Sequence, residues 1–323
     1  MLRFSDMTFN KLLLILALAI LSNAYILDFP KYRLEGTQLI WDYSGSDQGV
    51  VTVDTSKLTS PWNGKTTDES FTVLPERIKI TSNLVFDARP NFASYEDICD
   101  FRYYYYASSI YDFWGTIGLA YYNISVIPSD LHFLNCHPRS YKEIGPSGQV
   151  GDIDQLEPVC DQDVSLYPVL RGMVDTSCYG TAEKAGDACK ATCTDGSALK
   201  AFGTYLLYGA YDDSFNENDL KLALVNFGPV LGRKANNEYF EVFYGWKTTE
   251  SKIYYLSFVR GNDGHISFTS DHSSPFQNIE EAYIVYGTRQ DLSAQDPHLN
   301  ASGVVRAVLS LIAAVLVLPA LLI

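Results

Sequence analysis

The chain has few basic residues and no cluster of them. Its 323 residues include 24 Lys and Arg against 38 Asp and Glu, which gives a formal net charge of -14. Nucleic acids and anionic lipid surfaces attract proteins through clustered Lys and Arg. We therefore expect no nucleic acid as a partner, and we expect the surface of the protein to be acidic.

The sequence also lacks internal repeats, low-complexity tracts and the paired cysteine knuckles of a zinc site. Cys189 and Cys193 are close to each other, but no second pair repeats their spacing. Neither a metal nor another cofactor is therefore predicted. The six cysteines predict disulfides instead, provided that the chain is secreted.

The N-terminus has the pattern of a secretory signal peptide. Arg3 and Lys11 precede the apolar run Leu12 to Leu21, and Ser22-Asn23-Ala24 then supplies small residues before a cleavage point. Residues 1–24 are therefore predicted to be removed. We expect an extracellular or cell-surface protein, with a lysosome or vacuole as the alternative.

The C-terminus is also apolar, from Ala307 to Ile323. Small residues at Asn300-Ala301-Ser302 suit glycosylphosphatidylinositol attachment, with Asn300 as the candidate. Residues 291–303 are then a linker, and residues 304–323 are a removable signal. A short transmembrane anchor is the alternative, although no basic residue follows the apolar run. Both interpretations predict that the protein is held at a membrane by its C-terminal end.

Helical patterns precede strand patterns along the chain. After Ser108, apolar residues recur at helical spacing and predict a helix with a strongly buried face: Ile110, Phe113, Trp114, Ile117 and Tyr121. Asn216 with Asp219 predicts the start of a second helix, which Gly228-Pro229 ends. Runs of β-branched and aromatic residues then predict antiparallel strands at 239–246, 252–259, 266–269 and 283–286. The fold class is therefore α+β.

Five short motifs then occur in a fixed order: Leu74-Pro75-Glu76-Arg77-Ile78-Lys79, Phe86-Asp87-Ala88-Arg89, Cys189-Lys190-Ala191-Thr192-Cys193, Gly228-Pro229-Val230 and Gly245-Trp246. In order and spacing they resemble cathepsin B, a papain-type cysteine peptidase, in which the first two motifs flank the junction between propeptide and enzyme. The resemblance runs from about Trp62 to about Gln290.

That resemblance implies a papain-like two-lobe fold. A helical lobe with a central helix would be followed by an antiparallel β lobe. Residues 25–80 would be a propeptide-like region, and residues 81–290 would be the cathepsin B-like domain.

The same resemblance implies that the catalytic groups are replaced. Arg102 matches an arginine ahead of the family's active site, and this register places the nucleophile at Ile110 and the oxyanion-binding glutamine at Tyr104. The histidine position falls on or near Tyr239, and the asparagine position falls on or near Val259. None of these side chains can supply the thiolate and imidazole of that chemistry.

Histidine is scarce as well, with His132, His137, His265, His272 and His298 as the complete set. None of them lies between Gly228 and Trp246, where the resemblance requires one. Ser109 is no substitute for the nucleophile, because one residue rotates a helix by about 100°.

We therefore expect a non-catalytic binding or scaffold module that holds a peptide or protein in the former substrate cleft. The alternative is an active endopeptidase with Cys99 or Cys178 as nucleophile and His265 or His272 as base. The run Tyr103 to Tyr106 is either an aromatic platform for such a ligand or ordinary packing at the helix start.

The cysteines follow the resemblance only in part. It implies that Cys136 pairs with Cys189 and that Cys160 pairs with Cys193. Cys99 and Cys178 then lack their family partners, and are either joined to each other or free. Asn123-Ile124-Ser125 is a sequon that predicts glycosylation of Asn123 in a secreted chain.

Overall fold

The computed structural model describes residues 26–58, 60–74, 109–155, 171–180, 188–204, 206–211, 215–235, 240–250, 252–260, 266–271 and 278–287. The predicted signal peptide, linker and apolar tail lie outside these residues. In this part of the chain, no helix is long and apolar enough to cross a membrane.

The described α-helices are α1 (Ile110–Tyr122), α2 (Asp130–Cys136), the single turn α3 (Thr176–Tyr179) and α4 (Glu217–Phe227), and a 3-10 helix covers Thr55–Lys57. The strands of the N-terminal half are β1 (Ile26–Pro30), β2 (Tyr32–Glu35), β3 (Gln38–Asp42), β4 (Val50–Asp54), β5 (Ser70–Thr72), β6 (Ser140–Ile144) and β7 (Val150–Gln155). Those of the C-terminal half are β8 (Leu207–Tyr211), β9 (Val230–Lys234), β10 (Phe240–Thr249), β11 (Lys252–Arg260), β12 (Ile266–Asp271) and β13 (Ile279–Tyr286).

These strands form three sheets. The largest has the order β12-β11-β10-β9-β13-β8, and β5 also pairs with β10. A four-stranded sheet has the order β2-β3-β6-β7, and the third sheet consists of the two strands β1 and β4. The β3–β6 pairing is parallel, whereas the other pairings are antiparallel. Helices and antiparallel sheets are both present, but sheet predominates and five strands precede α1, so the expected α+β two-lobe fold with helices ahead of the strands is met only roughly.

Helix α1 is buried on nearly every side. Phe113 is 1% exposed, whereas Trp114 and Ile117 are fully buried, so the predicted apolar stripe is in the core. Asn123 ends the helix in the left-handed conformation, with its backbone N–H donating to Gly118 and Leu119. The predicted helix is therefore confirmed, and it is central.

Helix α4 begins and ends where the sequence predicts. The Asn216 side chain accepts hydrogen bonds from the backbone of Asn218 and Asp219, and Asp219 accepts one from the backbone of Asn216. Gly228 follows with φ of 82°, where a side chain would be strained and would also meet the Trp62 ring. The Asn216 cap and the Gly228 stop therefore fix both ends of this helix.

The N-terminal region is packed into the body of the protein. Phe29 is fully buried against Phe227 and Tyr286, with ring centroids 5.6 and 5.4 Å away. Strand β5 lies so close to β10 that a Cβ atom on Gly245 would stand 2.2 Å from the Phe71 carbonyl oxygen. Residues 26–74 thus contribute strands and core side chains to the fold.

The disulfides correct one implied pairing. Cys136 is bonded to Cys189, as the resemblance implies. Cys193 is bonded to Cys178 rather than to Cys160, because the backbone N–H of Thr194 donates to the Cys178 carbonyl and brings the two segments together. Cys178 is therefore not free, and Cys99 and Cys160 lie outside the described residues.

Candidate functional site

The start of helix α1 is the position at which the resemblance expects a nucleophile. Ile110 occupies its first turn and is 4% exposed. Ser109 precedes it in the left-handed conformation, fully buried, and its side chain does not cap the helix. A buried alkyl side chain therefore occupies the position at which the resemblance expects the thiol, and the neighbouring hydroxyl is sealed from solvent.

A buried ion pair closes this end of the helix. The Arg260 guanidinium donates to both carboxylate oxygens of Asp112, at 2.8 and 2.7 Å. The two side chains are 2% and 0% exposed. The backbone N–H of Arg260 also donates to the Ser109 hydroxyl, at 3.4 Å. The end of β11 is thereby held against the start of α1.

This contact decides which β11 residue faces the helix. Successive side chains of a strand point to opposite faces. Since Arg260 reaches Asp112, the half-buried Val259 points away from α1. The residue that meets the helix start is therefore Arg260, one position beyond the one that the resemblance suggested, and Tyr104 and Tyr239 lie outside the described residues.

The arrangement has little capacity for acyl transfer. Arginine does not give up its proton near neutral pH, so it cannot act as a general base. Both Asp112 oxygens are occupied by Arg260, and the Ser109 hydroxyl has no access to a substrate. The described side chains at this helix start therefore supply neither an accessible nucleophile nor a free base.

A second polar cluster lies between β9, β10 and β11. Lys234 Nζ is 3.0 Å from the Glu241 carboxylate, and the Ser257 hydroxyl donates to the same carboxylate at 2.8 Å. Ser257 is fully buried, and Lys234 and Glu241 are 7% and 6% exposed. A substrate cannot reach the hydroxyl, so this cluster is structural.

The environment of the two described histidines does not suit a catalytic base. Burial lowers the pKa of His132 to about 4, and burial likewise lowers the pKa of His137 to about 4. Both are therefore neutral at neutral pH. The His132 ring meets the edge of Tyr179 at 4.9 Å. His265, His272 and His298 lie outside the described residues.

The alternative hypothesis of an active peptidase has two candidate nucleophiles, Cys99 and Cys178, and the structure excludes the second. Cys178 is bonded to Cys193 and has no thiol, so that version of the alternative is wrong. Cys99 and the run Tyr103 to Tyr106 lie outside the described residues.

A cavity of about 590 Å³ lies elsewhere, at the other end of α1. Trp62, Phe71, Trp246 and Leu256 supply its apolar lining, and Ala120 of α1 contributes to it. At 1.5 Å per residue, Ala120 is about 15 Å along the helix from Ile110. The cavity is therefore separate from the helix start at Ile110.

The predicted glycosylation site is at Asn123. The Asn123 side chain is exposed at the end of α1, and glycosylation there stays a prediction.

No group of three or more potential metal ligands occurs among the residues that the structure describes.

No protein-family model and no curated protein matches this chain. Among solved structures, proCathepsin B S9 from Trypanosoma congolense is similar at 17% identity, covering 76% of this chain and 92% of that one, with a TM-score of 0.36. Procathepsin L 3 of the Tenebrio molitor larval midgut is similar at 12% identity, with coverage of 72% and 77% and a TM-score of 0.34. A structure from work on the mite allergens Blo t 1 and Der p 1 is similar at 15% identity, with coverage of 59% and 64% and a TM-score of 0.35, so this chain spans less than two thirds of that one. At TM-scores this low, the similarities assign no function to the chain.

Proposed function

We propose that the protein is a secreted, non-catalytic binding module that keeps a papain-like body without peptidase chemistry. The observation that carries the proposal is the buried Asp112–Arg260 pair at the start of α1. A peptidase of this type needs an accessible thiolate and a base at that point. Here the space holds Ile110 and an ion pair from which water is excluded.

The packing of the N-terminal region supports its being a permanent part of the protein rather than a removable propeptide. An enzyme must shed its propeptide to expose its cleft, whereas residues 26–74 supply a strand to the main sheet and bury Phe29 in the core. We propose that this region is retained in the working protein. The ligand is a peptide or protein segment bound in the former substrate cleft, and the C-terminal tail anchors the protein at a membrane.

Hydrolysis of a diverse peptide library tests the absence of catalysis. The purified secreted protein, shown to be folded by circular dichroism, is incubated with the library at pH 5.5 and 7 under mild reduction. We expect no cleavage above a heat-denatured control, while papain in a parallel reaction cuts. Thiol-dependent cleavage that a Cys99→Ser variant abolishes would instead establish the alternative peptidase.

Retention of peptides tests the binding role separately. The same library is passed over immobilised folded protein and, as a control, over protein that has been reduced and unfolded. We expect the folded protein to retain a reproducible subset of sequences. If both surfaces retain the same peptides, the proposed binding role is wrong even when catalysis is absent.

A further inference from the structure

The four-stranded sheet β2-β3-β6-β7 has one face that is rich in aromatic rings. Side chains that are paired across strands lie on the same face, as do alternate residues of one strand. Tyr32 is paired with Trp41, Trp41 with Glu143, and Tyr141 with Asp154. These five residues therefore share one face, which we call the aromatic face.

The rings of the aromatic face contact each other and surround a carboxylate. The Trp41 ring lies 6.0 Å from Tyr32 and 5.1 Å from Tyr43, which directly follows β3. The hydroxyls of Tyr43 and Tyr141 both donate to the carboxylate of Glu143. All four rings, and Glu143 with them, are only half-buried, so this cluster reaches solvent.

The charge of this face has one sign. Glu143 and Asp154 are acidic, and the described strand positions of the face include no Lys or Arg. By alternation, Arg33 and Lys142 belong to the other face, where Arg33 binds Glu35 and Asp42. The chain as a whole carries a formal charge of -14. The aromatic face is thus complementary to positive charge.

Electron-rich rings around a carboxylate attract cations for two reasons. A Lys or Arg head group gains from the face of Trp or Tyr, and it gains again from a nearby negative charge. Burial, and after it the hydrogen bond to Glu143, raises the pKa of Tyr141. The phenols therefore stay protonated and hold the carboxylate in place.

The edge of the sheet offers room for an extended partner. All six residues of β7 are exposed, and no described strand pairs with its outer edge. Val150 and Ile153 are 56% and 51% exposed there. An edge strand presents backbone donors and acceptors to which another strand can be added.

We infer that the aromatic face binds the Lys or Arg side chains of a basic, extended protein segment that lies beside β7. The inference concerns a surface formed by the N-terminal region with β6 and β7, and it does not depend on whether the former catalytic cleft is inert.

Fluorescence anisotropy with a dye-labelled octapeptide of alternating lysine and serine tests this inference on the full secreted protein. A matched octapeptide of alternating glutamate and serine is the negative probe. We expect only the lysine peptide to bind, with an affinity that falls as salt increases. Glu143→Gln should weaken binding about fivefold, and Tyr43→Ala about two- to fivefold.

Glu35→Gln is the matched control, because it changes the net charge equally on the opposite face of the same sheet. We expect it to leave the affinity within about twofold of the parent protein. Equal losses for Glu35→Gln and Glu143→Gln would reduce the effect to net charge and overturn the inference. Failure of the lysine peptide to bind would also overturn the inference. Neutral oligosaccharides serve as a further probe, and a protein that binds them but not the lysine peptide would overturn it as well. If Glu143→Gln lowers the melting temperature by several degrees, Tyr43→Ala at the margin of the sheet decides the question.

Discussion

At the scale of single residues, the Asp112–Arg260 pair is the interaction at the start of α1 that we expect to contribute most to the stability of the fold. Removing one member of a buried ion pair leaves the other charge without compensation, which typically costs about 3 to 5 kcal/mol. Asp112→Asn should therefore reduce the free energy of unfolding by that amount. Urea denaturation followed by circular dichroism measures it.

The matched control for this variant is Glu35→Gln, which breaks an exposed contact with Arg33. Exposed pairs contribute about 0 to 1 kcal/mol, so little change is expected. The double variant Asp112→Leu with Arg260→Met should recover most of the lost stability, since no charge is then left buried. Similar small losses for Asp112→Asn and Glu35→Gln would show that the helix start is accessible to water.

Two buried histidines predict a stability that falls in acid. His132 and His137 have a folded-state pKa of about 4 against an ordinary value of 6.5. The unfolded chain therefore binds protons first, and stability declines as the pH falls from about 6.5 to about 4. Each histidine contributes a loss of about 3 kcal/mol across that interval.

Melting temperatures measured between pH 7.5 and pH 4 check this expectation. His132→Leu should flatten the decline by about half, because one of the two proton-binding sites is gone. An unchanged slope in that variant would show that carboxylates, rather than buried histidines, govern the response to acid.

Sequence patterns predict individual residues unevenly. The expectation that Ile110 takes the nucleophile's position rests on the motif register, because it concerns one position and its spacing. The ion pair does not follow, because it joins residues 148 positions apart and depends on which face of β11 meets α1. An aspartate within an apolar helix stripe and an arginine that ends an apolar strand were the signals for it.

At the scale of secondary structure, α1 and α4 were predictable because their signals are local. The capping box at Asn216 stabilises the first turn of α4 through hydrogen bonds within three residues. Asn216→Ala should destabilise the protein by about 1 kcal/mol. The exposed Asn218→Ala in the same turn is the control, and an equal loss there would indicate helix propensity rather than capping.

The small sheet could not be predicted in the same way. Strand β3 pairs with β6 about one hundred residues later, at Gln38 opposite Ser140. The resemblance assigned residues 25–80 to a propeptide-like region, and no pattern there predicted the partners of β2 and β3. Long-range pairing is decided by the packing of the whole chain rather than by local composition.

At the scale of the whole molecule, the N-terminal region distinguishes a permanent module from a proenzyme. Deletion of residues 25–74 should leave a chain that does not fold, because it removes β5 from β10 and Phe29 from the core. Secretion yield and the near-ultraviolet circular dichroism spectrum measure the result. The full-length chain, secreted through the same residues 1–24, is the control. A truncated protein with the melting temperature of the control would show that the region is a detachable propeptide.

Helices α1 and α4 and strands β10 to β13 followed from periodicity and turn residues, whereas the five strands ahead of α1 did not. The exchange of Cys160 for Cys178 did not follow, because the pairing depends on the Thr194 contact that brings two loops together. The family resemblance thus implied the Cys136–Cys189 pairing correctly and the partner of Cys193 wrongly.

Intact-mass analysis after incubation with an epoxide probe for papain-type thiols tests the central claim most directly. The folded, secreted protein is treated at pH 5.5 with papain as the positive control. We predict that its mass stays unchanged while papain gains one adduct. A single stoichiometric adduct on the folded protein, absent after unfolding, would contradict the claim that the site is inert.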